Sequence, residues 1–560
     1  MLQLPYLLPG PFGYSIAAVL GTISHRFYFI HGEHHLLTSL YVILFPFIST
    51  LLFVGNYYNH SDLGFRDALT AVLSLDGIFL ASLYSSMVFY RVFEHPLRDF
   101  PGPGLAAVSK LWHVFHILNI SNHVLLDGLF RKYGTIVRTG PQELTIYDPA
   151  AWQIINDPRS GCIKSSSYDQ MWPITPLNAI RSKAKYIPRR RLWDEAMKSL
   201  TGKETRIHHH ANVLAGHIRA SRGKPVDMNT WLHNVTFDIM GDLGFGKSFG
   251  FTTEDDDDDN INKHHLPIAL MEQALRGITI MSQIPWIMGL FLPFSLILPF
   301  IAKRWVKSIT WVTELCDEQM KTTTGEDEEE EDKRVLFSRF IRAADGKKIG
   351  LLEKFNLYGD TFSVTAAASD TTFGILTMLF YELAANEDIQ RKLREEIAGS
   401  TLTDKDKDAG YLDACINETM RLYPAVPTGG VRQTVDDKGF YLKGKWIPPN
   451  TILVTPRWTI MRLESAFEKP NEFIPERWTS RPEMIKDIKA FNSFSSGRHS
   501  CAGKQLAMAE MRILVSVVVS QFSFSLSPSL VNKTSAVDDW ADNFTAIPGK
   551  LELVFHPLSA

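Results

Sequence analysis

Cysteine is scarce in this chain: Cys162, Cys316, Cys415 and Cys501 are the four among 560 residues. They show neither paired spacing nor the close Cys-x-x-Cys pairs of a structural zinc site. That excludes a disulfide scaffold and a metal finger, and it points to a reducing, cytosol-facing compartment. Net charge is scarce as well. Lys+Arg number 58 against Asp+Glu 61, a formal charge of −3, so the basic footprint of a nucleic-acid binder is missing. There is no internal repeat to build a solenoid, and no flavin or dinucleotide module. Histidines cluster at His34-His35, His208-His209-His210 and His264-His265, but adjacent side chains point to different faces, which argues against a metal site.

The first hundred residues lack charge in long runs. Leu36 to Val54 has no charged residue and Ala68 to Tyr90 has only Asp76, each close to the ~20 residues that cross a bilayer as a helix. Leu7 to Ile23 is a third apolar stretch, interrupted by Pro9, Pro11 and Gly13 and without the basic leader and cleavage site of a secretory signal. Residues 1–95 therefore read as a membrane anchor of two or three spans, about 7–23, 36–54 and 68–90. Arg91, Arg98 and Lys110 follow the last span, while Asp62, Arg66 and Asp67 precede it, which places the remainder of the chain in the cytosol. Asn59-His60-Ser61 is then a luminal sequon. Phe100-Pro101-Gly102-Pro103-Gly104 makes 96–110 a proline-rich loop or hinge ahead of one large domain over 111–560.

Three motifs carry chemistry. In Phe494-Ser495-Ser496-Gly497-Arg498-His499-Ser500-Cys501-Ala502-Gly503, glycines bend a loop that opens at Gly503 into the helical stretch Lys504 to Met511. Such a loop holds a cysteine thiolate in an apolar pocket while backbone N–H groups and a helix N-terminus offset its charge. Glu418-Thr419-Met420-Arg421 places an acid and a base three apart, on one helical face. Ala367-Ala368-Ser369-Asp370-Thr371-Thr372 sits in a segment from Thr361 to Asn386 whose only charges are Asp370 and Glu382. That is a buried helix in which small residues admit a neighbour and an adjacent acid and alcohol can pass protons into an apolar site.

These motifs, in this order, resemble those of the cytochrome P450 family over about 465 residues, from near Pro96 to the C-terminus. The resemblance implies a mainly α fold with small β-sheets behind the N-terminal transmembrane helices, and haem b bound through Cys501 as the axial iron ligand. It implies that Phe494, Gly497, Gly503 and Ala367 line the haem, and that Arg190, Arg432 and His499 face its propionates. Glu418, Arg421 and, from Pro475-Glu476-Arg477-Trp478, Arg477 form a structural network, while Asp370 and Thr371 deliver protons for oxygen activation. Departures are Ala368 where a glycine is usual, His499 where an arginine is commoner, and Tyr186 where fungal relatives carry a histidine four residues before Arg190. Pro188 reads as the start of that helix, and Arg189 and Arg191 as a solvated basic patch as readily as a site.

The acidic tracts Glu254 to Asp259 and Glu326 to Asp332 read as solvated loops. Between them the apolar stretch Ile268 to Ile301, with Trp286, Phe291 and Phe294, resembles the helices that roof the substrate pocket and dip into the membrane. Phe440 to Lys443 and Thr451 to Thr455, around Pro448-Pro449-Asn450, read as a hairpin. The expected activity is insertion of one oxygen atom of O2 into a small apolar organic molecule, by hydroxylation or epoxidation, in fungal secondary metabolism. Electrons would come from NADPH through a separate flavin-bearing reductase, on the cytosolic face of the endoplasmic reticulum. Two alternatives stay open: a haem-thiolate isomerase or dehydratase, against which Asp370 and Thr371 argue, and a non-catalytic membrane haem-binding protein.

Overall fold

A computed structural model describes residues 10–558 apart from 60–63, 158, 201, 253–265, 291–298, 324–334, 345–348, 400–409, 436–438 and 530–534. Both acidic tracts, Phe291, Phe294 and the His60-Ser61 half of the sequon lie outside the described residues. The chain divides into two compact units. One holds Met1–Phe115, Val137–Leu144 and Met281–Lys303; the other holds His116–Ile136, Thr145–Ile280 and Arg304–Ala560.

The first unit is built on helices α1 (Pro11–Ser24), α2 (Thr38–Asn59) and α3 (Phe65–Phe89). The stretches His35–Asn59 and Phe65–Glu94, of mean hydropathy 2.2 and 1.6, are long and apolar enough to cross a membrane. Helix α1 is not interrupted by Pro11 and Gly13: Pro11 starts it, where its missing N–H costs nothing, and Gly13 lies within it. Its 14 residues, about 21 Å, run on into a π-helical segment, His25–Phe29. It lies along α3 through Gly21, where a Cβ would stand 2.4 Å from the Phe79 carbonyl oxygen, so the small residue is what lets the backbones meet. His25 Nδ1 and Ser86 Oγ, 2.8 Å apart, extend the contact.

In the same unit the hinge is an edge rather than a free linker. Pro101 O accepts from Arg138 N at 2.7 Å, and a Cβ on Gly102 would reach within 2.2 Å of Arg138 O, so no larger residue fits. Lys110, taken from sequence as one of the charges that set orientation, is mostly enclosed and ion-paired with buried Glu143. The segment at Trp286 joins this unit, and Ser39 Oγ donates to Gly289 O at 2.5 Å.

The second unit is mostly helical. The elements that position the site are α4 (Lys183–Lys198), α5 (Met228–Phe245), α6 (Leu266–Met281), α7 (Ala368–Ala385), α8 (Tyr411–Leu422) and α9 (Lys504–Gln521). Helix α7 lies in the core, with Phe373, Ile375, Leu376, Leu379, Phe380 and Leu383 all buried, and continues Leu351–Phe362 through a π-helical turn at Ser363–Ala367. Strands β1 (Cys162–Lys164), β2 (Arg432–Thr434) and β3 (Ile452–Val454) pair antiparallel with Lys164 opposite Arg432 and Arg432 opposite Leu453. The expected hairpin is therefore different. Phe440–Leu442 pairs with Lys445–Ile447, and Ile452–Val454 pairs with β2. Lys443 and Gly444, with φ of 48° and 76°, make the two-residue turn with positive φ at both positions that suits the strand twist, and this prevails over the longer prolyl connection.

Candidate active site

The Phe494 to Gly503 loop forms because two residues accept left-handed backbone: Ser495 has φ 60° and Gly497 φ 66°. These turns bring Cys501 N to donate to Phe494 O at 2.8 Å, and Gly503 caps the N-terminus of α9. Cys501 is the exposed cysteine; Cys162, Cys316 and Cys415 are buried. Protein nevertheless surrounds it closely. Burial pushes its thiol up, against the pull of the Gly503 N–H, the Arg190 and Arg457 guanidiniums and Lys504. That combination, open to solvent yet densely enclosed, describes a side chain at the wall of a cleft. Ala367 is also exposed, between buried Ala366 and half-buried Ala368, so the chain entering α7 meets open space there too.

Above the thiol loop the chain collects positive charge. Lys164 is 3% exposed; its ammonium donates to Leu177 O at 3.3 Å and lies over the rings of Tyr186 at 4.5 Å and Tyr168 at 5.6 Å. Arg432, its cross-strand neighbour, donates to Tyr168 Oη at 3.3 Å and leaves Nε buried without a partner. No carboxylate among the described residues pairs with either. Burial, then Arg432 and Arg190, drive the Lys164 ammonium well below its ordinary range. Burial and the surrounding Lys164, Arg432, Arg498 and Arg190 drive His499 down to about 2, and its Nδ1 has no partner. Like charges directly opposed across a ladder oppose pairing, and buried cations are retained where an anion completes them. A haem with two propionates fits this chemistry: the orphaned Arg432 Nε and the unpaired Lys164 are donors awaiting carboxylates.

Arg190 is placed beside the thiol loop. It donates to Asp194 Oδ1 at 2.9 Å and to Tyr186 Oη at 3.3 Å. Pro188 does not start α4, which begins at Lys183, so Tyr186 lies one turn before Arg190 within the helix. Tyr186 donates to Arg498 O at 3.0 Å and packs edge-on against His499 with ring centroids 4.6 Å apart. Arg189 is not part of a solvated patch: it donates to Thr175 O at 2.9 Å and Asn356 O at 3.0 Å and pairs with buried Asp360, whereas Arg191 is exposed.

Glu418, Arg421 and Arg477 come together with no solvent exposure. Glu418 Oε1 accepts from Arg421 Nη2 at 2.8 Å, Arg477 Nε at 2.9 Å and Ile474 N at 3.0 Å. Its Oε2 accepts from Arg421 Nε and Trp478 Nε1, each at 2.9 Å. The guanidiniums spend their other donors on carbonyls, Arg421 on Met461 and Pro470 and Arg477 on Glu468 and Lys469, so the network ties α8 to the loop after β3.

Thr371 and Asp370 are neighbours on α7 with different surroundings. Thr371 is partly exposed and its hydroxyl donates to Ala367 O at 2.7 Å, satisfying a carbonyl at the end of the π turn. Asp370 is buried; Oδ1 lies 2.9 Å from His233 Nε2 and Oδ2 is without a partner. Sequence reading missed His233, Lys164, Trp478 and Arg457. Arg457 is buried, donates to Asn492 O at 3.0 Å and Val426 O at 3.1 Å, and is lowered to about 10 by burial. Only Trp478, adjacent to Arg477 in the same short motif, offered a signal.

The profile of the cytochrome P450 family matches residues 106–553. A cytochrome P450 monooxygenase of Eupenicillium brefeldianum is 32% identical over 492 residues, covering 87% of this chain and 96% of that protein. One of Fusarium pseudograminearum is 32% identical over 557 residues, covering 97% and 98%. Tryprostatin B 6-hydroxylase of Aspergillus fumigatus is 30% identical over 539 residues, covering 92% of each. With a cysteine loop opening a cleft, unpaired cations beside it and an acid–alcohol pair on the core helix, the chain belongs to the cytochrome P450 family, with the haem and the monooxygenase activity that membership carries.

Proposed function

We propose that the chain is a membrane-anchored monooxygenase that holds haem b through the Cys501 thiolate and hydroxylates or epoxidises an apolar secondary metabolite of a fungus. The reading rests above all on the pairing of an exposed cysteine with buried cations that lack carboxylates. Bound haem supplies the iron at which dioxygen is reduced and an oxygen atom is transferred to the substrate. The residues do the rest. Gly503 N–H and the guanidiniums of Arg190 and Arg457 favour the thiolate form of Cys501; Lys164, Arg432 and Arg190 are the donors toward the propionates, with His499 as a neutral neighbour. Asp370 and Thr371 hold and pass protons at their carboxylate and hydroxyl oxygens. Phe494, Gly497 and Ala367 shape the apolar walls.

NADPH serves as electron source through a separate flavin-containing reductase, on the cytosolic face of the endoplasmic reticulum, with the 1–95 segment as anchor. The relative named tryprostatin B 6-hydroxylase is by its name a hydroxylase of a small organic molecule, which supports hydroxylation as the reaction here. Cys501→Ser tests the assignment. The reduced carbon monoxide spectrum of the purified variant should lose the thiolate-type Soret band, because a hydroxyl is a poor ligand for this iron; a band unchanged from wild type would overturn it.

A further inference from the structure

We propose that His233 is the entry of protons to Asp370, linking it to Glu272 at the protein surface; the proposal rests on the reading that Asp370 and Thr371 deliver protons in the reaction. His233 belongs to α5, 137 residues from its partner in sequence, and is 7% exposed. Its ring is fixed by stacking on Phe373 from α7, centroids 4.2 Å apart at 13°, and by an edge contact with Phe237 at 5.1 Å. The two ring nitrogens therefore point in set directions. Nε2 lies 2.9 Å from Asp370 Oδ1, and Nδ1 lies 3.6 Å from Glu272 Oε1 on α6. Glu272 is partly wet, its side chain 38% exposed, while its backbone carbonyl is held by Asn543 Nδ2 at 3.0 Å. The far oxygen of Asp370, Oδ2, is buried with no partner.

Solvent, Glu272, His233 and Asp370 thus follow one another at these distances, and the series ends on an unsatisfied carboxylate oxygen of the residue that precedes Thr371. Imidazole is suited to the middle position, since in its neutral form one nitrogen donates while the other accepts. In each passage one proton moves and no electron does. Asp370 gives up a proton at Oδ2 and regains one at Oδ1 from His233 Nε2–H; His233 takes one at Nδ1 from the Glu272 carboxyl, which takes its replacement from water, and the relay resets when the Asp370 carboxyl turns its proton to the Oδ2 position and the imidazole rotates to present an N–H to it again. The 3.6 Å step is closed by rotation of the half-exposed Glu272 side chain or by one bridging water. The titratable groups facing the imidazole are Asp370 from α7 and Glu272 from α6; its own helix presents Phe237. A purely structural histidine needs only the donor to Asp370, and neither a fixed second nitrogen nor a surface acid beside it.

The test uses full-length holoprotein in membranes with reductase and NADPH, without added substrate, reading hydrogen peroxide released per NADPH consumed. His233→Gln keeps an amide donor for Asp370 but cannot pass a proton; Glu272→Gln changes only the partly exposed acid. Both should raise the peroxide fraction severalfold and enlarge the solvent deuterium isotope effect on NADPH consumption, with the reduced carbon monoxide absorbance unchanged. A second readout needs no turnover. The infrared stretch of carbon monoxide on the reduced protein should shift between H2O and D2O in wild type and lose that shift in His233→Gln. Wild-type peroxide and isotope values in His233→Gln would reduce the residue to a packing role and overturn the proposal, and so would a Glu272→Gln variant indistinguishable from wild type. Asp370→Asn and Thr371→Ala run in parallel separate the two readings: if they raise peroxide and His233→Gln does not, only the entry route fails; if neither does, the acid–alcohol reading fails with it.

Discussion

Replacing Glu418 by alanine should leave almost no folded holoprotein, and the geometry says why. The side chain has no solvent exposure and accepts five hydrogen bonds, from Arg421 twice and from Arg477, Ile474 N and Trp478 once each. Removing one member of a buried ion pair costs about 3–5 kcal/mol, because the remaining charge stays out of water. Orphaning the Ile474 amide and the Trp478 indole adds about 1–3 kcal/mol each. The sum, roughly 5–11 kcal/mol, rivals the ~5–15 kcal/mol that hold a typical domain together. Arg477→Lys is the graded control: it keeps one charge but loses the fork that reaches Glu468 O and Lys469 O, so about 2–4 kcal/mol is expected and the protein should remain recoverable. The assay is the yield of reduced carbon monoxide absorbance per milligram of total chain, with urea midpoints for whichever variants fold. If Glu418→Ala accumulates at the wild-type level with a midpoint within about 1 kcal/mol of it, the network carries no such energy and the reasoning is wrong.

Three other outcomes follow from particular residues. Lys164→Met removes a buried ammonium driven well below its ordinary range by burial and by Arg432 and Arg190, so the haem-free protein should gain in melting temperature. Haem release to an acceptor protein should speed up by about tenfold or more, the worth of a charge-assisted hydrogen bond of about 1.5–3 kcal/mol; slower release would remove Lys164 from the haem contacts. Glu382 is pushed up to about 7 by burial, above the ~4.3 of an unfolded chain. The folded state therefore prefers the protonated acid: the penalty is absent below about pH 4, grows through pH 4–7, and levels at about 4 kcal/mol above that. Glu382→Gln should accordingly match wild type in urea at pH 4.5 and exceed it at pH 8, and equal midpoints at pH 8 would contradict this. Deleting residues 1–90 should preserve haem binding, since every chemical motif lies beyond them, yet the product should still need detergent, because the deletion strips Ser39 from Gly289 and bares the segment at Trp286; loss of the haem spectrum on truncation would make the anchor part of the fold.

How far the sequence could be read depended on how far apart the interacting residues lie. The thiol loop, the i, i+3 pair Glu418 and Arg421, and the acid–alcohol pair each declare their chemistry within ten residues, and the mainly helical fold followed from the family they resemble. Connections without a local cue were read wrongly. Pro188 looked like a helix start because proline favours the first turn, but α4 tolerates it inside. Arg189 looked like half of a basic patch, since nothing near it in sequence reveals Asp360, 171 residues away. The hairpin went to the wrong strands because two prolines drew attention away from the ordinary Lys443-Gly444 turn.

Lys164, which sequence reading missed, and the far oxygen of Asp370, whose isolation it had no means to foresee, share a physical property: each is unfavourable in the chain taken by itself. Lys164 faces Arg432 across a strand pair, and Asp370 Oδ2 is buried without a partner. A sequence reader who assumes that every local choice serves stability has no reason to expect a lysine opposite an arginine or an acid left half satisfied, and propensity or periodicity cannot mark them. The same defects become informative once the fold has brought them together. A buried cation lacking a carboxylate has no reason to persist unless something else supplies one, and the cluster at the thiol loop lacks its carboxylates at the position a haem would provide them. By the same logic the unsatisfied oxygen of Asp370, backed by a histidine and a surface acid, is better explained by a proton in passage than by packing, because a side chain selected for packing alone would be replaced without loss by an apolar one.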